Sequence, residues 1–124
     1  MTKRKIMMID IDGVVCKHVD NDHPEKMETV QPITEAIAKI NSWYDQGHYI
    51  CFFTARTDDH RAVTETWLQR YGVRHHQVIF NKPRARSGEE YHYIDDRPIR
   101  ATMYKGKFTD FVRKHKEVLV FEGD

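Results

Sequence analysis

The sequence predicts an α/β fold: a single doubly wound domain over residues 1–124, with a five-stranded parallel sheet and helices on both faces. Short apolar runs alternate with segments of helical periodicity, the pattern of strand–helix–strand units that build a parallel sheet. The links between them are short and broken by glycine, as at Gly47 and Gly72. Several runs also end in a chemistry-bearing side chain, which suits strands whose C-terminal ends line a ligand crevice.

The first strand is read over residues 5–9 and is apolar throughout, as a strand covered on both faces should be. Residues 13–31 mix polar groups with Gly13, Asn21-Asp22 and Pro24, and read as a loop or small flap. Pro32 is expected at the first position of a helix, where its missing N–H costs nothing. Ile33, Ala36, Ile37, Ile40, Trp43 and Tyr44 then follow helical spacing until Gly47. A second strand covers residues 49–53. A second helix starts near Thr57 or Asp58, is expected to bury Val63, Trp67 and Tyr71, and stops at Gly72. Residues 77–80 form a third strand, and 81–90 are too polar and broken for a helix. A strand at 91–94, short helices within 98–116 with Phe108, Phe111 and Val112 on their apolar face, and a last strand at 118–121 complete the expectation.

Composition narrows the function classes. With 40% apolar and 31% charged residues the chain is of ordinary globular type. A net charge of +1 gives no general drive toward polyanions or membrane surfaces. No window approaches the roughly 18 apolar residues of a membrane span. The basic opening Thr2-Lys3-Arg4-Lys5 leads into too short an apolar run for a signal peptide. Cys16 and Cys51 lack metal-type or redox-type spacing and read as reduced thiols of a cytoplasmic protein. The 8 histidines include no pair at zinc-type helical spacing, and Trp43 and Trp67 read as core.

The residues after the strands are Asp10-Ile11-Asp12-Gly13, Thr54, Lys82 and Asp95-Asp96. Singly, each has an ordinary explanation: a turn, a strand threonine, a solvated lysine, a loop cap. Together they bring four carboxylates, a hydroxyl and an ammonium to one sheet edge. Carboxylates packed there repel by about 4 kcal/mol per pair at about 4 Å in an effective dielectric of about 20, so the site calls for a cation, Mg²⁺. Asp10 is suited to attack phosphorus and form an aspartyl-phosphate. Asp12, on the same face if the extended backbone continues, is suited to protonate the leaving oxygen and then deprotonate water. Asp95 and Asp96 supply hard oxygen ligands, while Lys82 and Thr54 are suited to offset the charge on the phosphoryl oxygens.

Ile9-Asp10-Ile11-Asp12-Gly13-Val14-Val15, Phe53-Thr54-Ala55-Arg56, Asn81-Lys82-Pro83 and Tyr93-Ile94-Asp95-Asp96-Arg97 resemble the motifs of the haloacid dehalogenase-like superfamily, in order, over roughly residues 5–100. The resemblance implies a Rossmann-like catalytic domain, here with a minimal cap or none. It implies Asp10 as nucleophile and Mg²⁺ ligand, and Asp12 as general acid/base that also offers Mg²⁺ its backbone carbonyl. It implies phosphate binding by Thr54, Lys82, Ala55 and Arg56, Asp96 as direct metal ligand, and Asp95 close to the metal through water. An acid at position 12 argues for phosphatases over dehalogenases and transport ATPases. Among short members the chain is similar to phosphatases associated with capsule and surface-polysaccharide synthesis. Its Ile94-Asp95-Asp96-Arg97 ending is also similar to the phosphatase domain of phage-type polynucleotide kinase.

The expected activity is therefore a Mg²⁺-dependent phosphomonoesterase acting on a small phosphorylated metabolite such as a sugar phosphate. A nucleic-acid or nucleotide 3′/5′-phosphatase is the alternative that a capless site admits, but the balanced charge gives it little counterion-release drive. A receiver-like phosphoacceptor domain is a further alternative. In those domains the acidic pair ends the first strand and the lysine comes last, an order this chain does not follow. Whether Arg56 and Arg97 contact substrate or neutralise the acidic cluster is open at this stage. So are the roles of Arg84 and Arg86, as a grip on a second phosphate or a solvated loop, and whether a second copy caps the site.

Overall fold

The computed structural model describes residues 3–106. The chain divides into two compact units, Met1–Arg84 and Ala85–Asp124.

The first unit is built on three parallel strands, β1 (Ile6–Ile9), β2 (Tyr49–Phe53) and β3 (Gln77–Ile79), in the order β1-β2-β3. The register sets Ile6 opposite Tyr49 and Ile9 opposite Phe52, then Cys51 opposite Gln77 and Phe53 opposite Ile79. Central β2 buries Ile50, Cys51 and Phe52 in succession, as a strand covered on both faces must. On β1, by contrast, Ile6 and Met8 are exposed and only Ile9 is buried, so the reading of that strand as covered on both faces does not hold.

Helix α1 (Thr34–Asp45) buries Ala36, Ile37 and Ile40 and half-buries Trp43 and Tyr44, the stripe its spacing predicts. It begins two residues later than expected. Pro32 is bridged to Cys16, and the Ile33 N–H donates to the Val15 carbonyl at 2.7 Å, so both residues serve the 13–16 turn before the helix starts. Helix α2 (Arg61–Arg70) follows a 3-10 turn at Asp58–His60, which Thr57 and His60 close as a reciprocal cap. Its buried face is Thr64, Trp67 and Leu68, not Val63, Trp67 and Tyr71. The rotation follows from a polar group, since Thr64 faces inward to meet Arg56. Ile9, Ile11, Ile37, Ile40, Ile50, Phe52, Trp67 and Leu68 form the centre of the core. Each such side chain, fully buried, contributes about 1.5–3 kcal/mol.

The five-stranded, doubly wound sheet is overturned: the described residues hold three strands and two α-helices, α/β in kind but smaller. Residues 91–94 are irregular, with Ile94 84% exposed and Tyr91 and Tyr93 half exposed. One reason lies in local bonding, because the Tyr91 hydroxyl accepts the Ala85 N–H at 3.0 Å and holds the segment in a loop. The segment also carries acids at both ends, Glu89-Glu90 and Asp95-Asp96, which leaves too short an apolar run to drive strand burial. The strand expected at 118–121 and residues 107–116 of the expected helical segment lie outside the described residues, while residues 98–106 hold no helix. Among the described residues no helix is long and apolar enough to cross a membrane.

Candidate active site

Asp10 is the first residue beyond β1, half-buried, and one of its oxygens accepts the Ile11 N–H at 2.8 Å. Burial lifts its carboxyl above the ordinary aspartate value. The Lys82 charge and the Ile11 N–H pull it back, the Asp12 charge pushes it up, and His18 lowers it. The extended backbone ends there. Val14 and Val15 N–H both donate to the Ile11 carbonyl, at 3.1 and 3.0 Å, and the Gly13 N–H donates to the Cys16 carbonyl at 2.8 Å. Gly13 sits at φ +85°, outside the range an L side chain adopts without strain, so the Asp-Gly pair is needed to make this turn.

The turn delivers Asp12 to a buried guanidinium. Arg56 donates from Nε to Asp12 Oδ2 at 3.0 Å and from Nη2 to Oδ1 at 2.8 Å, a two-pronged ion pair. Its Nη1 donates to Thr64 Oγ1 at 2.9 Å, and Cys16 Sγ lies 3.7 Å from both Asp12 Oδ1 and Arg56 Nη2. The arginine side chain is 2% exposed and the aspartate 13%. Removing one partner from such a buried pair typically costs about 3–5 kcal/mol. Burial, reinforced by the Asp12 charge, pushes the Cys16 thiol up to about 12.

The ends of β2 and β3 are laced together. The Thr54 N–H donates to the Ile79 carbonyl and the Lys82 N–H to the Thr54 carbonyl, both at 2.9 Å, and the Asn81 N–H donates to the Arg56 carbonyl at 2.8 Å. Thr54 Oγ1 accepts the Arg56 N–H at 3.1 Å, which leaves its own proton to donate elsewhere. Lys82 Nζ stands 5.6 Å from the centre of the Phe53 ring. From the 13–31 segment, Asn21 Nδ2 donates to the Ala55 carbonyl at 3.0 Å, and Asp20 pairs with His18 at 2.9 Å and with Arg84 at 3.6 Å.

No protein-family model matches the chain, and no curated protein sequence does. Two solved structures resemble it in fold. One is an MCSG target from Vibrio cholerae, at TM-score 0.53 and 21% identity, covering 77% of this chain and 82% of that one. The other is a chain of the Pnkp1/Rnl/Hen1 complex, at TM-score 0.57 and 15% identity, covering 69% of this chain. This chain spans 30% of that protein's length. At these identities the likeness is one of fold.

Asp10, Asp12, Thr54, Ala55, Arg56 and Lys82 thus gather within the first unit, at the C-terminal ends of its strands. Asp95 and Asp96 belong to the second, on an exposed stretch where Asp95 Oδ1 accepts the Arg97 N–H at 3.0 Å. That hydrogen bond, with a further one to Asp96, holds the Asp95 carboxyl below the ordinary value. Among the described residues no three His, Cys, Asp or Glu side chains come together as a metal cage. Mg²⁺ rarely uses such a cage. It takes one or two carboxylates and fills the rest of its shell with water and substrate phosphate, and the hard oxygens of the first unit are of that type. Sequence reasoning missed Thr64, Cys16 and Asn21. Thr64 carried a signal, because it falls on the same helical stripe as Trp67 and Leu68.

Proposed function

We propose that this chain is a Mg²⁺-dependent phosphomonoesterase that works through an aspartyl-phosphate on Asp10, with a small phosphorylated metabolite such as a sugar phosphate as substrate. The observation that carries the reading is the gathering of Asp10, Thr54 and Lys82 at the ends of three adjacent parallel strands, with Asp12 two residues from the nucleophile. The motif resemblance to haloacid dehalogenase-like phosphatases supports the same reading, and Asp95 and Asp96 enter it on that resemblance alone.

In this reading an Asp10 oxygen attacks phosphorus and the bond to the substrate oxygen breaks. Asp12, carrying a proton on a lone pair that the Arg56 fork leaves open, gives it to that leaving oxygen and becomes the carboxylate. The same carboxylate then takes a proton from water, whose oxygen attacks the phosphoryl group, breaking its bond to Asp10 and releasing inorganic phosphate. The Lys82 ammonium and the Thr54 hydroxyl offset charge on the non-bridging oxygens. Mg²⁺, when bound, neutralises the phosphate against the acidic residues. Burial of Asp10 strips water from its carboxylate, which favours its transfer onto phosphorus in a charge-compensated complex.

The test is a panel of sugar phosphates, nucleotides, phosphoaryl esters and 3′- or 5′-phosphorylated oligonucleotides, assayed with Mg²⁺ and with excess chelator. Repeated turnover of the small esters that stops with chelator is expected. One phosphate taken up per chain without turnover would indicate a phosphoacceptor domain instead. Turnover confined to oligonucleotide ends would overturn the substrate class while keeping the chemistry.

A further inference from the structure

Arg56 lies beside the phosphate-binding threonine in sequence, but its side chain turns inward. All three guanidinium nitrogens are committed, Nε and Nη2 to the two oxygens of Asp12 and Nη1 to Thr64 on α2. At 2% exposure it is sealed, while the carboxylate it holds is the more open partner. We infer that Arg56 is a positioning residue: anchored on α2 through Thr64, its planar fork fixes the Asp12 carboxylate for proton transfer and makes no contact with the substrate phosphate. This rests on the reading of Asp12 as general acid/base.

The geometry explains how it works. An aspartate on a turn can rotate about two side-chain bonds, and a proton-transfer group that rotates spends little time aimed at the reacting oxygen. A two-pronged guanidinium contact fixes the carboxylate plane, which a single point charge cannot do. A carboxylate offers about four lone-pair sites, so a fork that uses one on each oxygen leaves others to take the proton. Thr64, 1% exposed, sets the fork in turn, making α2 part of the aim of Asp12. A purely structural ion pair would be expected to change stability alone. A phosphate contact would change substrate affinity. The positioning role changes neither first; it changes the step that needs the proton.

The experiment compares wild type, Arg56→Lys and Thr64→Val on p-nitrophenyl phosphate and on an alkyl phosphate, with inhibition by inorganic phosphate and acid-quenched phosphoenzyme measured alongside. Arg56→Lys keeps the charge and loses the fork. Its kcat on the alkyl ester is expected to fall about 10²-fold, at the lower end of what general acid–base help is worth. KM and phosphate inhibition should stay within about threefold, the mark of an interaction made in the transition state. With p-nitrophenyl phosphate, whose leaving group needs no proton, phosphoenzyme should form at near the wild-type rate and accumulate. Thr64→Val should show the same pattern, weaker, and decides the matter if Arg56→Lys fails to fold. Loss of phosphate affinity, equal losses in the rate of phosphoenzyme formation on both esters, or unchanged kcat would overturn the positioning role while an active wild type keeps the phosphatase reading. A wild type that turns over neither ester overturns both.

Discussion

Thr54 and Lys82 are joined through the backbone, the Lys82 N–H donating to the Thr54 carbonyl at 2.9 Å. The main chain that carries the hydroxyl and the ammonium proposed for the phosphoryl oxygens is therefore tied by one short bond between two strand ends. The backbone spacing of the two residues is set by that bond, and a change at either side chain should leave it in place.

Asp10→Asn removes the proposed nucleophile and almost no volume. Turnover is expected to fall on the order of 10⁴-fold or more, as when one member of a catalytic unit is deleted. Stability should move the other way. Burial raises the Asp10 carboxyl above its unfolded value, so its favourable contribution is full below the ordinary aspartate range and is lost as pH rises through the folded value. Above that ordinary range the favourable contribution is lost, and the metal-free variant should melt higher than wild type at neutral pH. The gap should close as pH falls below the ordinary aspartate range. Melting curves at neutral and acid pH with chelator test it; a variant that melts lower at neutral pH contradicts the assignment.

Lys82→Met keeps most of the stem and deletes the charge that pulls the Asp10 carboxyl down. Losing one such electrostatic contact costs about 10²–10³-fold in kcat where comparable donors have been removed. Steady-state kinetics at saturating Mg²⁺ measure it, and a rate equal to wild type would remove Lys82 from the site.

Cys16 and Cys51 are buried, and burial raises both thiols, Cys16 to about 12. Thiolate is the reactive form, so both should resist a disulfide reagent at mildly alkaline pH in the folded protein and react promptly in denaturant. Fast reaction of either thiol in the native state would mean that the Cys16 turn or the middle of β2 opens readily.

Local pattern carried part of the structure. The α1 stripe from Ala36 to Ile40 and the buried run of β2 could be read because periodicity and continuous apolarity report burial directly. The placement of Asp10, Thr54 and Lys82 at one sheet edge was legible because each follows a strand, and a parallel sheet brings such ends together. The α2 face was misread because apolar counting selected Val63 and Tyr71, whereas an inward hydroxyl at Thr64 serves the Arg56 guanidinium. The strand at 91–94 was over-read. Tyrosine has strand preference, but its hydroxyl can also close a loop, as Tyr91 does on Ala85. The pairing of Arg56 with Asp12 joins residues 44 apart, and no local pattern encodes it.

Asn81 stands at φ +67°, the left-handed region, alone in this among the described non-glycine residues, and its side chain donates to Asp58 at 3.0 Å. Asn81 thereby turns the chain just before Lys82. As this protein diverges toward other substrates, position 81 should accept little beyond asparagine, glycine and aspartate, the residues that tolerate that backbone. A lineage that exchanged it for valine would be expected to shift the Lys82 backbone before it lost its fold.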